Sequence, residues 1–159
     1  MTTYMMSELW LLPVMMRRAL FGDTSFIYVL ADADDHDHTL AVAILDEVIR
    51  QRRPIVVTTC IIADTHALVL RHLGYLASAQ WLRNAFDGFF IIRPTEADEQ
   101  KACDIIFTYT DKDFSFTDAI SFAVMERLNI TVALSLDEPF VQFSKFTVVP
   151  LQISTLPAM

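Results

Sequence analysis

The stretch from Phe116 to Phe140 constrains the fold most, because it joins a helix to a buried strand. Thr117 is a good helix N-cap, and Asp118 follows in the first turn, where the helix dipole favours negative charge. Asn129 stops the helix, and residues 130–136 form a nearly continuous apolar run typical of a strand buried on both faces. This stretch therefore predicts half of a parallel crossover unit.

An aspartate, Asp137, closes this buried strand. In a parallel α/β sheet, functional groups collect beyond the carboxyl ends of the strands, so this position points into a crevice. A plain turn is the alternative, since Asp137, Glu138 and Pro139 make a fair turn sequence. The presence of Asp118 nearby in the chain favours the functional interpretation.

The rest of the chain alternates buried strands with helices. Residues 18–22, 55–58, 89–92 and 146–149 predict the other strands. Amphipathic or capped segments between them predict helices over residues 26–31, 39–51, 60–72, 77–86 and 95–109. This order predicts an α/β protein, a three-layer α/β/α sandwich around a central, mostly parallel sheet.

The length of 159 residues fits one domain. We predict an apolar N-terminal extension over residues 1–16, the domain over residues 17–151 and a tail over residues 152–159. The order of charges in the extension is wrong for a secretory signal, and its apolar run is too short to span a bilayer. We expect a poorly ordered segment or one that packs in an oligomer, and a membrane-surface anchor is the weaker alternative. Cys60 and Cys103 are too far apart in the chain for a metal motif or disulfide framework, which favours a cytoplasmic protein.

The net charge of −8 restricts how this protein meets its partners. An acidic protein does not attract nucleic acid through its overall field, so a phosphate substrate needs local basic residues or bound cations. The same charge suits a basic partner. The run from Asp32 to His38 holds four acids and two histidines, and it has two interpretations: a bound ion, or a polar lead-in to a helix with Asp37 near the cap.

Four acids stand out against the predicted order of elements. Asp23 follows the first strand, Asp64 lies on the helix after the second, Asp118 starts a helix and Asp137 follows the fourth strand. All four can face one end of the sheet, and crowded carboxylates repel each other unless a cation offsets them. Such oxygen ligands predict Mg²⁺ or Mn²⁺ and metal-assisted hydrolysis of a phosphodiester.

With these acids in this order, the chain resembles the PIN-domain nucleases, most closely the VapC-like toxins, over residues 18–150. The matching pieces are the Gly-Asp-Thr-Ser opening, the acid after the second strand, the F-T-D-A-I-S-F-A-V-M-E element and the S-L-D-E-P-F close. The resemblance implies metal-binding acids at Asp23, Asp64, Asp118 and Asp137, a hydroxyl role for Ser135 and a polar position at Ser25. The family's second acid is usually glutamate, so direct and water-mediated contacts of the shorter Asp64 both remain open.

The resemblance also implies an endoribonuclease that acts on RNA and pairs with a basic antitoxin. Three alternatives share the predicted fold. A haloacid dehalogenase-type phosphotransferase needs a second aspartate where this chain has Ser25, and a receiver domain needs a lysine nearer to Ser135 than Lys145. A catalytically silent PIN-like interaction module is the remaining rival.

Two predicted helices carry more large apolar residues than one side of a sheet needs. They span residues 61–73 and 77–86, and the apolar set includes Leu76, Trp81, Leu82 and Phe86. Unpaired apolar helix faces often form subunit contacts. We therefore expect a homodimer that shares part of this surface.

Overall fold

The computed structural model describes residues 12–150, which form five strands and eight helices within that range. In chain order these are α1 (Leu12–Met16), β1 (Leu20–Gly22), α2 (Thr24–Ala31), α3 (His38–Arg50), β2 (Ile55–Thr58), α4 (Thr59–Leu73), α5 (Tyr75–Gly88), β3 (Phe90–Ile92), α6 (Glu96–Thr108), α7 (Phe116–Leu128), β4 (Val132–Ser135), α8 (Glu138–Phe143) and β5 (Thr147–Pro150). Of the predicted extension, only residues 12–16 fall in this range, and Met16 packs against the core. Residues 1–11 and the predicted tail lie outside the described residues.

The five strands form one parallel sheet in the order β3-β2-β1-β4-β5. Strand β1 lies at its centre, where Phe21 is in register with Val56 of β2 and Ala133 of β4. Every residue of β1, β2 and β4 is buried, as the continuous apolar runs predicted. The predicted α/β fold with a central parallel sheet is confirmed.

The connections divide the helices between the two faces of the sheet. From β1 the chain moves outward to β2 and β3, and then returns past β1 to β4 and β5. Because parallel crossovers are right-handed, this reversal puts α2–α5 on one face and α6–α8 on the other. The packing of α4 on α2 and α5, and of α6 on α7, agrees with these two layers. The reversal also leaves a switch point between β1 and β4.

Helix α7 is the most buried helix, because it lies between the sheet and α6. Its residues from Ala119 to Met125 are all buried, and its Phe122 stacks on Phe143 of α8 with ring centroids 4.2 Å apart. Phe140 meets the same ring edge-on at 5.0 Å. This aromatic core fixes the start of α7, and hence Asp118, relative to the end of β4.

One prediction about local structure was wrong, and the plain turn that was left open as an alternative after β4 is a helix. Ser115, not Thr117, is the N-cap of α7, because its side chain accepts the backbone N–H of Asp118. The segment after Asp137 is not a simple turn but the short helix α8, with proline in its first turn, where its missing N–H costs nothing. This helix carries the chain across one face and allows β5 to run parallel to β4. No helix in residues 12–150 is long and apolar enough to cross a membrane.

Candidate active site

The first predicted acid, Asp23, lies at the switch point of the sheet. It directly follows β1, and its backbone N–H donates to the carbonyl of Leu134 in β4 at 3.0 Å. Close packing favours glycine at the preceding position 22, since a Cβ on Gly22 would lie 2.9 Å from the side chain of Ile27 and 3.1 Å from that of Ile55, and these side chains would have to shift. Crevices form at such switch points in open α/β sheets, so the position of Asp23 is one where ligands bind.

Two serine hydroxyls hold the carboxylate of Asp23 in place. Ser25 Oγ and Ser135 Oγ donate to Asp23 Oδ2 at 2.7 and 2.8 Å. Each hydroxyl also accepts a backbone N–H, from Leu136 at 2.9 Å for Ser25 and from Asp137 at 3.1 Å for Ser135. The loops after β1 and β4 are thereby joined, and the Asp23 side chain has a defined direction.

Asp118 is oriented by the helix that it begins. Ser115 Oγ accepts the Asp118 N–H at 3.0 Å, and Asp118 Oδ2 accepts the Ser115 N–H at 2.9 Å. This reciprocal pair is a capping box, which satisfies two backbone donors at the helix start. The sequence carries the signature of this box, a serine followed three residues later by an acid, but the N-cap was predicted at Thr117.

All four predicted acids line one cleft of about 480 Å³. Asp23 and Asp137 come from the loops after β1 and β4, Asp118 from the start of α7, and Asp64 from α4. The structure leaves the side chain of Asp64 exposed at the cleft. An exposed carboxylate there needs no buried partner.

The cleft concentrates negative charge that the protein does not neutralise. Among residues 12–150, none of the four acids forms a salt bridge with lysine or arginine. Burial raises the pKa of Asp23 to about 6, although the hydroxyls of Ser25 and Ser135 oppose the shift. Burial also raises the pKa of Asp118, and the charges of Asp137 and Asp64 add to that increase.

This donor set fits a hard divalent cation. Mg²⁺ and Mn²⁺ prefer carboxylate oxygens, and a cation among these acids would offset the repulsion that raises the pKa of Asp118. The four acids of the cleft do not bring three ligand atoms within 4.8 Å of one another. Among residues 12–150, only Asp35, His36 and Asp37, in another loop, do so. The residues thus supply oxygen ligands around a cleft open to substrate and water.

The Asp32–His38 run forms the loop into α3, with Asp37 at the N-cap position as predicted. Asp37 makes no side-chain capping bond; instead His36 lies between two carboxylates, with Nε2 at 3.1 Å from Asp37 Oδ1 and Nδ1 at 3.8 Å from Asp35 Oδ1. Backbone N–H groups of Asp34 and Asp37 donate to the side chains of Asp32 and Asp35. These local contacts account for the grouping without an ion.

Three other kinds of residue in the cleft were missed by the sequence predictions. Thr24, Ser115 and Thr117 place hydroxyls beside the acids, Leu68 and Pro139 add apolar surface, and Arg71 adds one cation. Arg71 lies seven residues after Asp64 on α4, which is two helical turns, so helical spacing was the signal that would have found it.

The sheet order and the acids at its switch point define a PIN-like α/β fold. No family model matches the chain. In sequence the chain is similar to the 23S rRNA-specific endonuclease VapC20 of two Mycobacterium tuberculosis strains, CDC 1551 / Oshkosh and ATCC 25618 / H37Rv. Each is 28% identical over 123 residues, which cover 76% of this chain and 91% of the relative.

A solved structure shows the same fold. The crystal structure of Mycobacterium tuberculosis VapC20, described as a sarcin-ricin loop cleaving toxin, superimposes with a TM-score of 0.71 at 24% identity. The match covers 79% of this chain and 95% of that one. The sequence similarity confirms the predicted resemblance to VapC-type PIN-domain nucleases, and the structural match confirms the predicted fold class.

Proposed function

We propose that this protein is an Mg²⁺- or Mn²⁺-dependent endoribonuclease that hydrolyses RNA phosphodiester bonds in the acidic cleft. One observation carries the proposal: four acids from four separate segments line a single cleft, and no lysine or arginine in the described chain pairs with them. The similarity to an rRNA-cleaving endonuclease supports RNA as the substrate.

In this proposal the four acids share one cation, and two serines hold one of these acids in place. Asp23, Asp118, Asp137 and Asp64 hold the cation, and the hydroxyls of Ser25 and Ser135 keep the Asp23 carboxylate directed into the cleft. A divalent cation held by these acids would supply an activated water and stabilise the negative charge that develops on the phosphate. The chain itself orients the ligands, and no lysine or arginine among residues 12–150 forms a salt bridge with them.

Because the pKa of Asp23 is raised, we expect the site to lose affinity for a metal ion at low pH. A protonated carboxyl is a poor ligand for a hard cation, so metal binding requires ionised acids. Because the pKa of Asp23 is about 6, metal affinity falls as the pH drops through that value. A cation bound at neutral pH holds Asp23 in its ionised form.

The test is cleavage of RNA by the purified protein with Mg²⁺, with Mn²⁺ and with EDTA. RNA containing the sarcin-ricin loop and an unrelated RNA should be compared, because the structural neighbour is described as cleaving that loop. We expect cleavage with either metal and none with EDTA. Cleavage that persists in EDTA would refute the metal-dependent mechanism, and no cleavage under any condition would favour the silent interaction module.

We further propose that this enzyme is the toxin of a toxin-antitoxin pair and binds a basic antitoxin in the cytoplasm. A basic segment placed over the acidic cleft would meet its uncompensated carboxylates. If so, Asp23→Asn and Asp118→Asn should weaken binding of a basic peptide, and high salt should weaken binding to the wild type. Unchanged affinity in both variants would refute this assignment.

The homodimer remains a proposal, but its contact surface contains fewer residues than the sequence predicted. Leu76 and Phe86 are exposed, at 83% and 55%, as a contact surface requires. Trp81 and Leu82 are instead partly buried against the core, so they belong to the fold of the subunit. Light scattering at micromolar concentration should show a dimer, and Leu76→Glu should convert it to a monomer.

A further inference from the structure

Five basic side chains of the described residues already have acidic partners. In the described chain, Arg50 pairs with Glu47, Lys101 and Lys145 with Glu126, Lys112 with Asp111, and Arg127 with Asp98. The guanidinium of Arg71 has no salt-bridge or hydrogen-bond partner among residues 12–150, and it is the only cation there that lines the acidic cleft. A free cation beside four acids calls for an explanation.

Arg71 lies on the same face of α4 as Asp64, but further along the helix. Asp64, Leu68 and Arg71 all line the cleft from α4, at helical spacing. Seven residues of helix correspond to about 10 Å along the axis. Side chains on a helix lean toward its N-terminus, so the guanidinium leans toward the acids yet forms no ion pair with Asp64.

We infer that Arg71 binds a phosphate of the RNA backbone that neighbours the scissile phosphate. This inference rests on the proposed function of the cleft. A nucleic acid strand carries one charge per phosphate, and the acids repel each of these except where a cation intervenes. The bound metal offsets the acids at the reacting phosphate, whereas the next phosphate along the strand needs its own positive group. Guanidinium is the side chain that best matches phosphate, through two parallel hydrogen bonds.

A residue in this role positions the strand and does not act in bond cleavage. We therefore expect Arg71→Gln to raise KM about tenfold, because a hydrogen bond to a charged group is lost, and to leave kcat within about twofold. Arg71→Lys should restore part of the affinity, because it keeps the charge but not the fork of donors. The dependence of log affinity on log salt should become shallower by about 0.7, the value for one phosphate contact on a single strand.

Arg83→Gln is the matched control. Arg83 is exposed on α5, forms no salt bridge in the described chain and lies outside the cleft, so its loss changes the net charge equally. We expect KM and the salt dependence of this variant to match the wild type. An equal rise in KM in both variants would show that overall charge, and not Arg71, is responsible, which overturns the inference.

A chemically altered RNA identifies the contact directly. Oligonucleotides that carry one neutral methylphosphonate on either side of the cleavage position should bind the wild type more weakly at one of these positions. The Arg71→Gln variant should be insensitive to that same substitution. If the wild type and the variant respond equally at every position, Arg71 touches no flanking phosphate.

Two further readouts separate this inference from the proposed function. RNA binding by fluorescence anisotropy in an Asp118→Asn background, with and without Arg71→Gln, needs no cleavage, so it tests Arg71 even if the wild type proves inactive. Equal affinities in the two proteins would overturn the inference. Calorimetric titration with Mn²⁺ should be unchanged by Arg71→Gln, and a fall in kcat at constant KM would mean that Arg71 acts on the reacting phosphate instead.

Discussion

Two capping boxes, at the starts of the packed helices α6 and α7, share one local structure and differ in their surroundings. In α6, Thr95 caps the helix and Asp98 occupies the third position; in α7, Ser115 and Asp118 take the same places. Asp98 accepts two hydrogen bonds of 2.8 Å from the guanidinium of Arg127, which lowers its pKa. Asp118 has no such cation, and burial raises its pKa, with further contributions from Asp137 and Asp64.

The difference shows how one motif can serve stability or chemistry. A carboxylate with a bidentate arginine is a satisfied structural group and has little left to offer a ligand. A carboxylate crowded by other carboxylates is costly in the folded protein unless a cation binds, and such perturbed groups mark functional sites. Local sequence therefore places both acids at helix starts, and the neighbouring charges distinguish their roles.

The largest effect should come from Asp118→Asn. The amide oxygen can still accept the Ser115 N–H, so the helix start is kept while one charge at the metal site is lost. We expect kcat/KM for RNA to fall by about 100-fold or more, since metal stabilisation of the transition state is worth several kcal/mol. The free energy of unfolding should change by less than about 1 kcal/mol in urea titrations. Asp46→Asn, at an exposed acid outside the cleft, is the control and should retain full activity.

Asp98→Asn should show the opposite pattern. Removing one partner of a buried ion pair costs about 3–5 kcal/mol, and we expect about 2 kcal/mol because the Arg127 side chain is 39% exposed. RNA cleavage should be unaffected at temperatures where the variant is folded. Because the pKa of Asp98 is lowered in the folded protein, its contribution is present above the unfolded pKa and is lost as the pH falls. Equal stability of variant and wild type at pH 7 would remove the structural half of the comparison.

Asp23→Asn should stabilise the metal-free protein at neutral pH. The folded-state pKa of about 6 lies above the ordinary value of 3.8, so the folded protein holds this proton more tightly than the unfolded chain. Stability from this group is therefore complete below pH 4 and is lost as the pH rises to about 6. We expect the variant to be about 2 kcal/mol more stable than the wild type at pH 7.5 and to show no advantage at pH 4. Thermal unfolding in EDTA measures the stability of both proteins at each pH. A variant that is still more stable than the wild type at pH 4 would contradict this account.

The smallest effects should come from the two N-cap side chains. Thr95→Ala and Ser115→Ala each remove one capping hydrogen bond, so both should lower the free energy of unfolding by about 1 kcal/mol. Only Ser115→Ala should also reduce RNA cleavage, because Ser115 lines the cleft and its hydroxyl holds the backbone N–H of Asp118. Equal activity of the two variants would show that the orientation of Asp118 does not depend on its cap.

Secondary structure and sheet type followed from short-range patterns in this chain. The apolar runs of β1, β2 and β4 predicted strands buried on both faces, and Asn129 predicted a helix end, where the backbone φ is 54°. The helix α8 was missed, because a six-residue helix that begins after Asp137 and contains Pro139 has no room for a helical repeat of apolar residues. A short run of this kind is ambiguous between turn and helix.

The sequence by itself was enough to select the four acids, because Asp23 and Asp137 follow strands, Asp118 starts a helix and Asp64 lies on the helix after the second strand, all near the functional end of a parallel sheet. It could not decide the electrostatic state of any of them. Burial of Asp23 beneath two serine hydroxyls, neutralisation of Asp98 by Arg127 and the unpaired Arg71 at the cleft all depend on residues far apart in the chain. Charge interactions fall off with distance in space and burial depends on packing, so only the tertiary structure determines which acids are paired and which remain free to bind a metal ion.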